Sequence, residues 1–235
     1  MVKSYSKNAN HNMRRPVIKE DILHYMRHEQ KENMGFLKEL EIFAHEENIP
    51  IIPQETVVYF RFLLQTFQPK NILEIGTAIG FSALLMAENA PQANITTIDR
   101  NPEMIAIAKE NFAKYDSRKQ INLLEGDAAN ILTKLNGNYD FVFMDSAKSK
   151  YIVFLPTVLE CLEIGGIVVL DDVFQGGDIA KPIEEVHRGQ RTIYRGLQKL
   201  FDATLKHPDL TASLLPLGDG LLLIRKNRKE IGLID

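Results

Sequence analysis

A glycine-containing loop between a buried strand and a helix constrains the fold of this chain most strongly. Residues 71–80 read Asn-Ile-Leu-Glu-Ile-Gly-Thr-Ala-Ile-Gly, an apolar run interrupted by Glu74, with glycine at Gly76 and Gly80 before a helical pattern begins. The apolar run predicts a buried strand. The glycines allow a tight turn that brings backbone and helix N-terminus close to a ligand. The pattern is typical of the first turn of a nucleotide-binding α/β domain.

The spacing of this loop indicates which nucleotide it would bind. The chain has Glu-x-Gly-x-x-x-Gly, whereas dinucleotide-binding domains use Gly-x-Gly-x-x-Gly. An acidic side chain at Glu74 would repel a pyrophosphate, but it would tolerate a cationic sulfonium with an amino-acid tail. We therefore expect Glu74, Gly76, Gly80 and the neighbouring Ser82 to belong to an S-adenosylmethionine site.

Strand and helix patterns alternate after this loop, which predicts an α/β domain with a mostly parallel sheet. Strands are predicted at 71–75, 94–98, 121–124, 140–144 and 166–171, and helices at 80–89, 102–114, 128–135, 150–162 and 181–204. Two short apolar runs around Gly218-Asp219-Gly220 predict a C-terminal antiparallel hairpin. We expect a loose N-terminus at 1–13 and one domain at 14–235, with a helical cap at 14–69 and a Rossmann-like core at 70–227.

Composition limits the classes of function and the cellular location. The net charge of −3 argues against general polyanion binding, so any nucleic-acid site should be a local patch. Cys161 is the only cysteine, which excludes an internal disulfide and fits a reducing compartment. Residues Met1 to Asn12 are polar and do not resemble a secretory signal, and no apolar run reaches membrane-spanning length. We expect a cytoplasmic protein without membrane contacts.

Acidic residues at predicted strand ends suggest further ligand contacts, because ligands bind beyond the carboxyl ends of parallel strands. Asp99 could accept hydrogen bonds from ribose hydroxyls, and the alternative is a cap for the helix opened by Asn101-Pro102. Asp127 and the amide of Ala128 could contact an adenine ring. For Asp127 a simple helix N-cap is about equally favoured.

Three more carboxylates predict a metal site. Asp145 ends the fourth strand and Asp171-Asp172 end the fifth, so all three should lie close together. Clustered carboxylates repel one another unless a cation lies among them, and oxygen ligands favour Mg²⁺ or another hard divalent cation. The alternative is a pair of ordinary strand-end caps. Beside such a metal, Lys148 could be a general base with a lowered pKa, although a solvated surface lysine is the default.

Basic residues predict a phosphate-binding surface. Arg188, Arg191, Arg195 and Lys199 recur at helical spacing, and Arg14 and Arg15 precede the first predicted helix. One arginine-rich helix face could contact phosphates of a nucleic acid. A helix with a solvated, charged face is the equally favoured alternative.

The motifs together resemble the magnesium-dependent class I O-methyltransferases of the catechol and caffeoyl-CoA type, from about Ile49 to Lys226. The resemblance rests on Leu-Glu-Ile-Gly-Thr-Ala-Ile-Gly-Phe-Ser, Thr-Ile-Asp-Arg, Asp-Ser-Ala-Lys-Ser-Lys-Tyr and Leu-Leu-Pro-Leu-Gly-Asp-Gly-Leu. It implies a seven-stranded class I methyltransferase fold. The cofactor contacts that it implies are Ile52, Ser82, Asp99, Asp127 and Asp145. It further implies metal binding by Asp145, Asp171 and Asp172. We expect catalysis by Lys148 with Asp145, and a substrate contact from Tyr151, which follows Lys148 by three residues.

Within this family the chain is most similar to bacterial tRNA 5-hydroxyuridine methyltransferases, because of Ile49-Pro50-Ile51-Ile52 and the arginine-rich helix. The resemblance implies conversion of 5-hydroxyuridine to 5-methoxyuridine in the tRNA anticodon loop. A small catechol-like substrate is the first alternative, and a non-catalytic cofactor-binding protein is the second. Asp172 stands where the family usually has asparagine. Apolar positions on the N-terminal helices favour a homodimer.

Overall fold

The computed structural model describes residues 18–233, and its centre is one seven-stranded sheet. The strands are β1 (Asn71–Ile75), β2 (Asn94–Asp99), β3 (Ile121–Glu125), β4 (Tyr139–Met144), β5 (Leu162–Leu170), β6 (Leu210–Leu215) and β7 (Leu221–Lys226). Their order across the sheet is β3-β2-β1-β4-β5-β7-β6. The first five strands pair in parallel, and β7 pairs antiparallel with both β5 and β6. The expected Rossmann-like sheet with an antiparallel C-terminal hairpin is confirmed.

Eight α-helices within residues 18–233 surround this sheet. They are α1 (Glu20–Glu29), α2 (Gly35–Glu46), α3 (Gln54–Phe67), α4 (Phe81–Asn89), α5 (Pro102–Tyr115), α6 (Ala128–Leu132), α7 (Tyr151–Cys161) and α8 (Arg191–Thr204). Short 3₁₀ segments occupy Lys148–Lys150, Gln175–Ala180 and Arg188–Gln190. None of the helices in this part of the chain has the length and apolar character needed to cross a bilayer.

The period of two along each strand creates two separate hydrophobic layers. In β4, Phe141 and Phe143 face the layer that holds α2, α3 and α4, whereas Val142 and Met144 face the layer that holds α7 and α8. Phe60 of α3 packs edge-on against Phe143, with ring centroids 4.8 Å apart. Both faces of the central strands are therefore covered, as parallel sheets require.

Strand register determines where the functional residues meet. Ile75 pairs with Ile98 on one side and with Met144 on the other, and Met144 pairs with Leu170. Each of these four strand residues is followed in the chain by a predicted functional residue. In the same order, these are Gly76, Asp99, Asp145 and Asp171. The glycine loop and the predicted acidic residues therefore emerge at the same edge of the sheet.

Two predicted helices are shorter than the sequence pattern indicated. The helix expected at 181–204 begins only at Arg191, and residues 181–190 form turns and one 3₁₀ segment. Pro182 and Gly189 lie within residues 181–190, and both residue types are unfavourable in the interior of a helix. The helix expected at 128–135 ends at Leu132. In contrast, the hairpin strands are longer than expected, since β6 already begins at Leu210.

The cap helices expose several large apolar side chains. Tyr25, Met34 and Phe62 are each about two-thirds exposed or more, on or beside α1, α2 and α3. These positions agree with the reason given for a homodimer, which stays a prediction. The proposed loose terminus at 1–13 lies outside the described residues.

Candidate active site

Two glycines shape the loop that joins β1 to α4. Gly76 has φ +109°, and a Cβ atom there would lie 1.9 Å from the carbonyl oxygen of Asp145. Gly80 is the N-cap of α4 with φ +83°, and its Cβ would lie 2.5 Å from the ring of Phe112. Only glycine fits either position, because both the backbone conformation and the space exclude a side chain. The loop backbone is thereby held against the end of β4.

Glu74 lies beneath this loop and is fully buried. Its two carboxylate oxygens accept hydrogen bonds from Ser82 Oγ and Thr97 Oγ1, each at 2.5 Å, and Thr97 Oγ1 lies 2.6 Å from Thr77 Oγ1. Burial raises the pKa of Glu74 to about 8, although both hydroxyl donors oppose the rise. The raised pKa weakens the argument that a negative charge on Glu74 selects the cofactor, and the cofactor contact of Glu74 stays a prediction. Glu74 and Ser82 support the loop from below.

Asp99 fixes the other side of the glycine loop. Its Oδ2 accepts a hydrogen bond from the amide of Ala78 at 2.8 Å, and its Oδ1 accepts one from the amide of Asn101 at 2.9 Å. Asn101, not Asp99, caps α5, because its side chain accepts from the amide of Glu103. The capping alternative for Asp99 is therefore wrong, and Asp99 stays a predicted ribose ligand beside the loop.

Asp127 is the N-cap of α6, the alternative that the sequence left open. Its Oδ1 accepts a hydrogen bond from the amide of Ala129 at 2.9 Å, and its Oδ2 lies 3.0 Å from Arg100 Nη1. These contacts lower the pKa of Asp127. An adenine contact by Asp127 and Ala128 stays a prediction. Asp127 would form this contact while it also caps α6.

The three carboxylates at the ends of β4 and β5 influence one another. Desolvation raises the pKa of Asp145 to about 6, with Lys148 opposing and Asp172 adding to the rise. Desolvation and the charges of Asp145 and Asp172 hold the pKa of Asp171 well above its usual range. Asp171 is buried, and its Oδ1 accepts a hydrogen bond from the amide of Asp172 at 2.7 Å. These mutual effects agree with the expectation that the three side chains lie near one another, and the metal site predicted from them stays a prediction.

Lys148 lies in this cluster and differs from its expected state. Its Nζ atom lies 2.6 Å from Asp172 Oδ2, and both side chains are about one-quarter exposed. Burial lowers the pKa of Lys148, but the carboxylates of Asp172, Asp145 and Asp171 outweigh it, so the pKa is raised. The neighbouring negative charges stabilise the ammonium form, and the lowered pKa expected beside a bound metal ion stays a prediction.

The donor chemistry of this cluster fits a hard divalent cation, because three carboxylates with mutual repulsion would all be stabilised by one. However, among residues 18–233 no group of three or more His, Cys, Asp or Glu side chains is arranged to hold a metal ion. Asp172 is engaged by Lys148, as described above. Asp145, Asp171 and Asp172 are the residues that would hold a cation, and this assignment stays a prediction.

Tyr151 is fully buried, which corrects its expected contact with substrate. Its hydroxyl lies 3.1 Å from the carbonyl oxygens of both Met144 and Asp171, and it accepts from the amide of Ser146 at 3.3 Å. Burial, together with nearby carboxylates, holds the pKa of Tyr151 well above its usual range. Ile52 is also buried, within the hydrophobic layer next to α3. Its cofactor contact stays a prediction.

The predicted basic surface divides into separate parts. Arg191 is committed to the turn before α8, because its guanidinium donates to the carbonyl oxygens of Val186 and Glu184 at 3.0 Å each. Arg188 precedes the helix in a 3₁₀ segment, and both Arg188 and Arg195 are exposed. The expected single helix face therefore does not form. Arg14 and Arg15 lie outside the described residues.

The start of α8 nevertheless adjoins the carboxylate cluster. A Cβ atom on Gly196 would lie 3.2 Å from the backbone of Ser149, the residue that follows Lys148. This close approach brings exposed Arg195 near the segment that carries Lys148. Arg195 is therefore the best placed of the predicted phosphate contacts in the part of the chain that the structure describes.

Sequence reasoning missed the role of Asp219. Its Oδ1 accepts a hydrogen bond from the amide of Gly176 at 2.6 Å, and its carbonyl oxygen accepts one from the amide of Phe174 at 2.8 Å. The β6–β7 turn thereby fixes the loop that follows Asp171-Asp172. The sequence signal that could have indicated this role is an aspartate between two glycines. In the structure, both Gly218 and Gly220 adopt positive φ.

Comparison with known proteins agrees with this geometry. The model of a family described as O-methyltransferase matches residues 27–227. The O-methyltransferase ankF of Aspergillus thermomutatus is 35% identical over 70% of this chain and 74% of its own length. Caffeoyl-CoA O-methyltransferase 2 of Populus trichocarpa is 29% identical over 84% of this chain and 83% of its own. The SAH-bound methyltransferase PaMTH1 of Podospora anserina superposes with a TM-score of 0.80 at 27% identity, covering 89% of this chain and 95% of its own.

Proposed function

The chain belongs to the O-methyltransferase family, and we propose that it uses S-adenosylmethionine and Mg²⁺ to convert 5-hydroxyuridine to 5-methoxyuridine in the anticodon loop of tRNA. The cofactor proposal is supported by the glycine loop, which Gly76, Gly80 and Asp99 hold beyond the end of β1. The SAH-bound relative PaMTH1 also supports it. The substrate proposal is supported by a different observation at α8.

Two exposed arginines on and before α8 support the tRNA proposal. Gly196 packs α8 against the backbone of Ser149, and exposed Arg195 is the residue before Gly196 in this helix. Arg188 is exposed just before the same helix. An anticodon loop requires phosphate contacts around a base that is turned out of the stack. A small catechol requires none.

The residues of the site have defined roles in this proposal. When bound, S-adenosylmethionine supplies the methyl group and Mg²⁺ lowers the pKa of the substrate hydroxyl. Asp145, Asp171 and Asp172 would hold the cation, while the loop from Gly76 to Gly80 would orient the cofactor. Lys148, held beside Asp172, would lie at the reacting hydroxyl and accept its proton once its own has been released.

Methylation of a small hydroxylated metabolite is the second candidate. It is favoured by the names of relatives, several of which are caffeoyl-CoA O-methyltransferases. A hydroxyl beside a second oxygen could chelate the same cation in either substrate. The carboxylate cluster therefore does not discriminate between the two candidates.

Substitution of the exposed arginines distinguishes the tRNA candidate from the small-molecule candidate. In Arg188→Ala/Arg195→Ala we expect methylation of tRNA that contains 5-hydroxyuridine to fall by roughly tenfold or more, since each lost phosphate contact weakens binding. Binding of S-adenosylmethionine should stay unchanged by calorimetry. Lys229→Ala, an exposed cation on the C-terminal segment, is the matched control. Unchanged tRNA turnover in the double variant, with efficient methylation of free catechols, would favour the small-molecule candidate.

A further inference from the structure

The hydroxyl of Tyr151 joins the two strand ends that carry the predicted metal ligands. It lies 3.1 Å from the carbonyl oxygen of Met144 at the end of β4 and 3.1 Å from that of Asp171 after β5. It also accepts a hydrogen bond from the amide of Ser146 at 3.3 Å. These three contacts involve both neighbours of Asp145 and the backbone of Asp171 itself.

The contacts of Tyr151 complement those on the opposite side of Asp145. There, the Asp145 amide donates to the carbonyl oxygen of Ile75 at 2.9 Å, and Gly76 allows the Asp145 carbonyl to approach closely. Those contacts fix Asp145 relative to β1. Among the side-chain hydrogen bonds described above, only those of the Tyr151 hydroxyl reach both neighbours of Asp145 and the backbone of Asp171.

Simple core packing does not explain this hydroxyl. The ring of Tyr151 lies in the hydrophobic layer under α7, where phenylalanine would fill the same space. A buried hydroxyl needs hydrogen-bond partners, and here all of its partners are backbone atoms of the carboxylate-bearing segments. Outer residues that orient ligands in this manner typically contribute strongly to metal affinity.

We propose that Tyr151 is a positioning residue that sets the separation of Asp145 and Asp171, and so tunes cation affinity without contacting cation or substrate. This inference rests on the proposed metal-assisted function. It assigns to Tyr151 a role different from the substrate contact expected from the sequence.

The test compares wild-type protein with Tyr151→Phe, which removes the hydroxyl and keeps the ring. Mn²⁺ serves as the probe, and the free ion is measured by electron paramagnetic resonance well below each unfolding midpoint. We expect the dissociation constant for Mn²⁺ to rise roughly tenfold in Tyr151→Phe. Affinity for S-adenosylmethionine, measured by calorimetry without metal, should change far less. Tyr115→Phe, which removes a hydroxyl bound to Glu39 on the surface, should match wild type.

The possible outcomes separate the inference from the proposed function. Wild-type Mn²⁺ affinity in Tyr151→Phe would overturn the positioning role. Equal losses of Mn²⁺ and S-adenosylmethionine affinity would indicate general loosening and would overturn it as well. Wild-type protein that binds no Mn²⁺ would refute the metal-assisted part of the proposed function and the inference together. Neither readout uses the methyl acceptor, so a wrong substrate assignment leaves the test intact. A wild-type protein that fails to bind S-adenosylmethionine would instead refute the proposed function.

Discussion

Lys148 Nζ lies 2.6 Å from Asp172 Oδ2, which joins the proposed proton acceptor to a proposed metal ligand in one ion pair. Asp172 adopts φ +56°, a conformation that asparagine and aspartate tolerate better than most residues. The family resemblance leads us to expect asparagine at this position, which could not form the ion pair. The chain therefore joins two functional groups by an ion pair, where the usual asparagine could offer the lysine only an uncharged hydrogen-bond acceptor.

Lys148→Ala tests whether this lysine serves the reaction. We expect turnover to fall by on the order of 10²–10⁴, the usual contribution of a positioned acid or base. Binding of S-adenosylmethionine should be retained, because Lys148 does not contact the glycine loop in its described ion pair. Steady-state kinetics and calorimetry measure the two effects. Lys150→Ala, at an exposed lysine two residues further, is the control, and equal losses in both variants would contradict a specific role.

Glu74 predicts an unusual dependence of stability on pH. Its pKa rises from 4.5 to about 8 on folding, so between these values the folded state holds a proton that the unfolded state releases. The free energy of unfolding should therefore decrease as pH rises from about 4.5 towards 8, by up to a few kcal/mol. Glu74→Gln should show a flatter profile in urea unfolding. Glu125→Gln, at an exposed partner of Lys109, should keep the wild-type slope. Parallel slopes for wild type and Glu74→Gln would refute the assignment.

The glycine loop predicts a sharp contrast between two substitutions. Gly76→Ala would place Cβ 1.9 Å from the Asp145 carbonyl oxygen, and we expect a loss of roughly 3–5 kcal/mol in the free energy of unfolding. Gly35→Ala also has positive φ, but no atom lies within 4 Å of its Cβ, so we expect only about 1–2 kcal/mol. Chemical denaturation measures both. Similar losses would show that backbone conformation, and not the Asp145 contact, limits Gly76.

Sequence patterns predicted the parts of this protein that depend on periodicity and strand ends. The parallel strands, the C-terminal hairpin, the glycine loop and the neighbouring strand ends before Asp145 and Asp171 all follow from buried runs and the rule that parallel strands end at one edge. The start of α8 did not follow, because the helix was predicted from 181 through Pro182 and Gly189, and the basic residues recur at helical spacing from Arg188 onwards. Helical spacing of residues indicates that a helix is present, but it does not determine the residue at which the helix begins.

Charge states and hydrogen-bond partners were also beyond the sequence. Burial raises the pKa of Glu74, and three nearby carboxylates outweigh burial and raise the pKa of Lys148, so the surroundings in the fold determine both shifts. Tyr151 looked like a substrate contact because it follows Lys148 closely in the chain. The 3₁₀ segment at Lys148–Lys150 and the start of α7 turn it inwards instead. The pKa shifts and the inward orientation of Tyr151 both depend on residues that are neighbours in the fold.

The central claim is tested most directly by nucleoside mass spectrometry of tRNA from cells in which this gene has been deleted. We predict that 5-methoxyuridine disappears and 5-hydroxyuridine accumulates. The wild-type gene should restore the modification, and a Lys148→Ala gene should not. An unchanged tRNA profile in the deletion strain would contradict the tRNA proposal, and the search for a substrate would then turn to small hydroxylated metabolites.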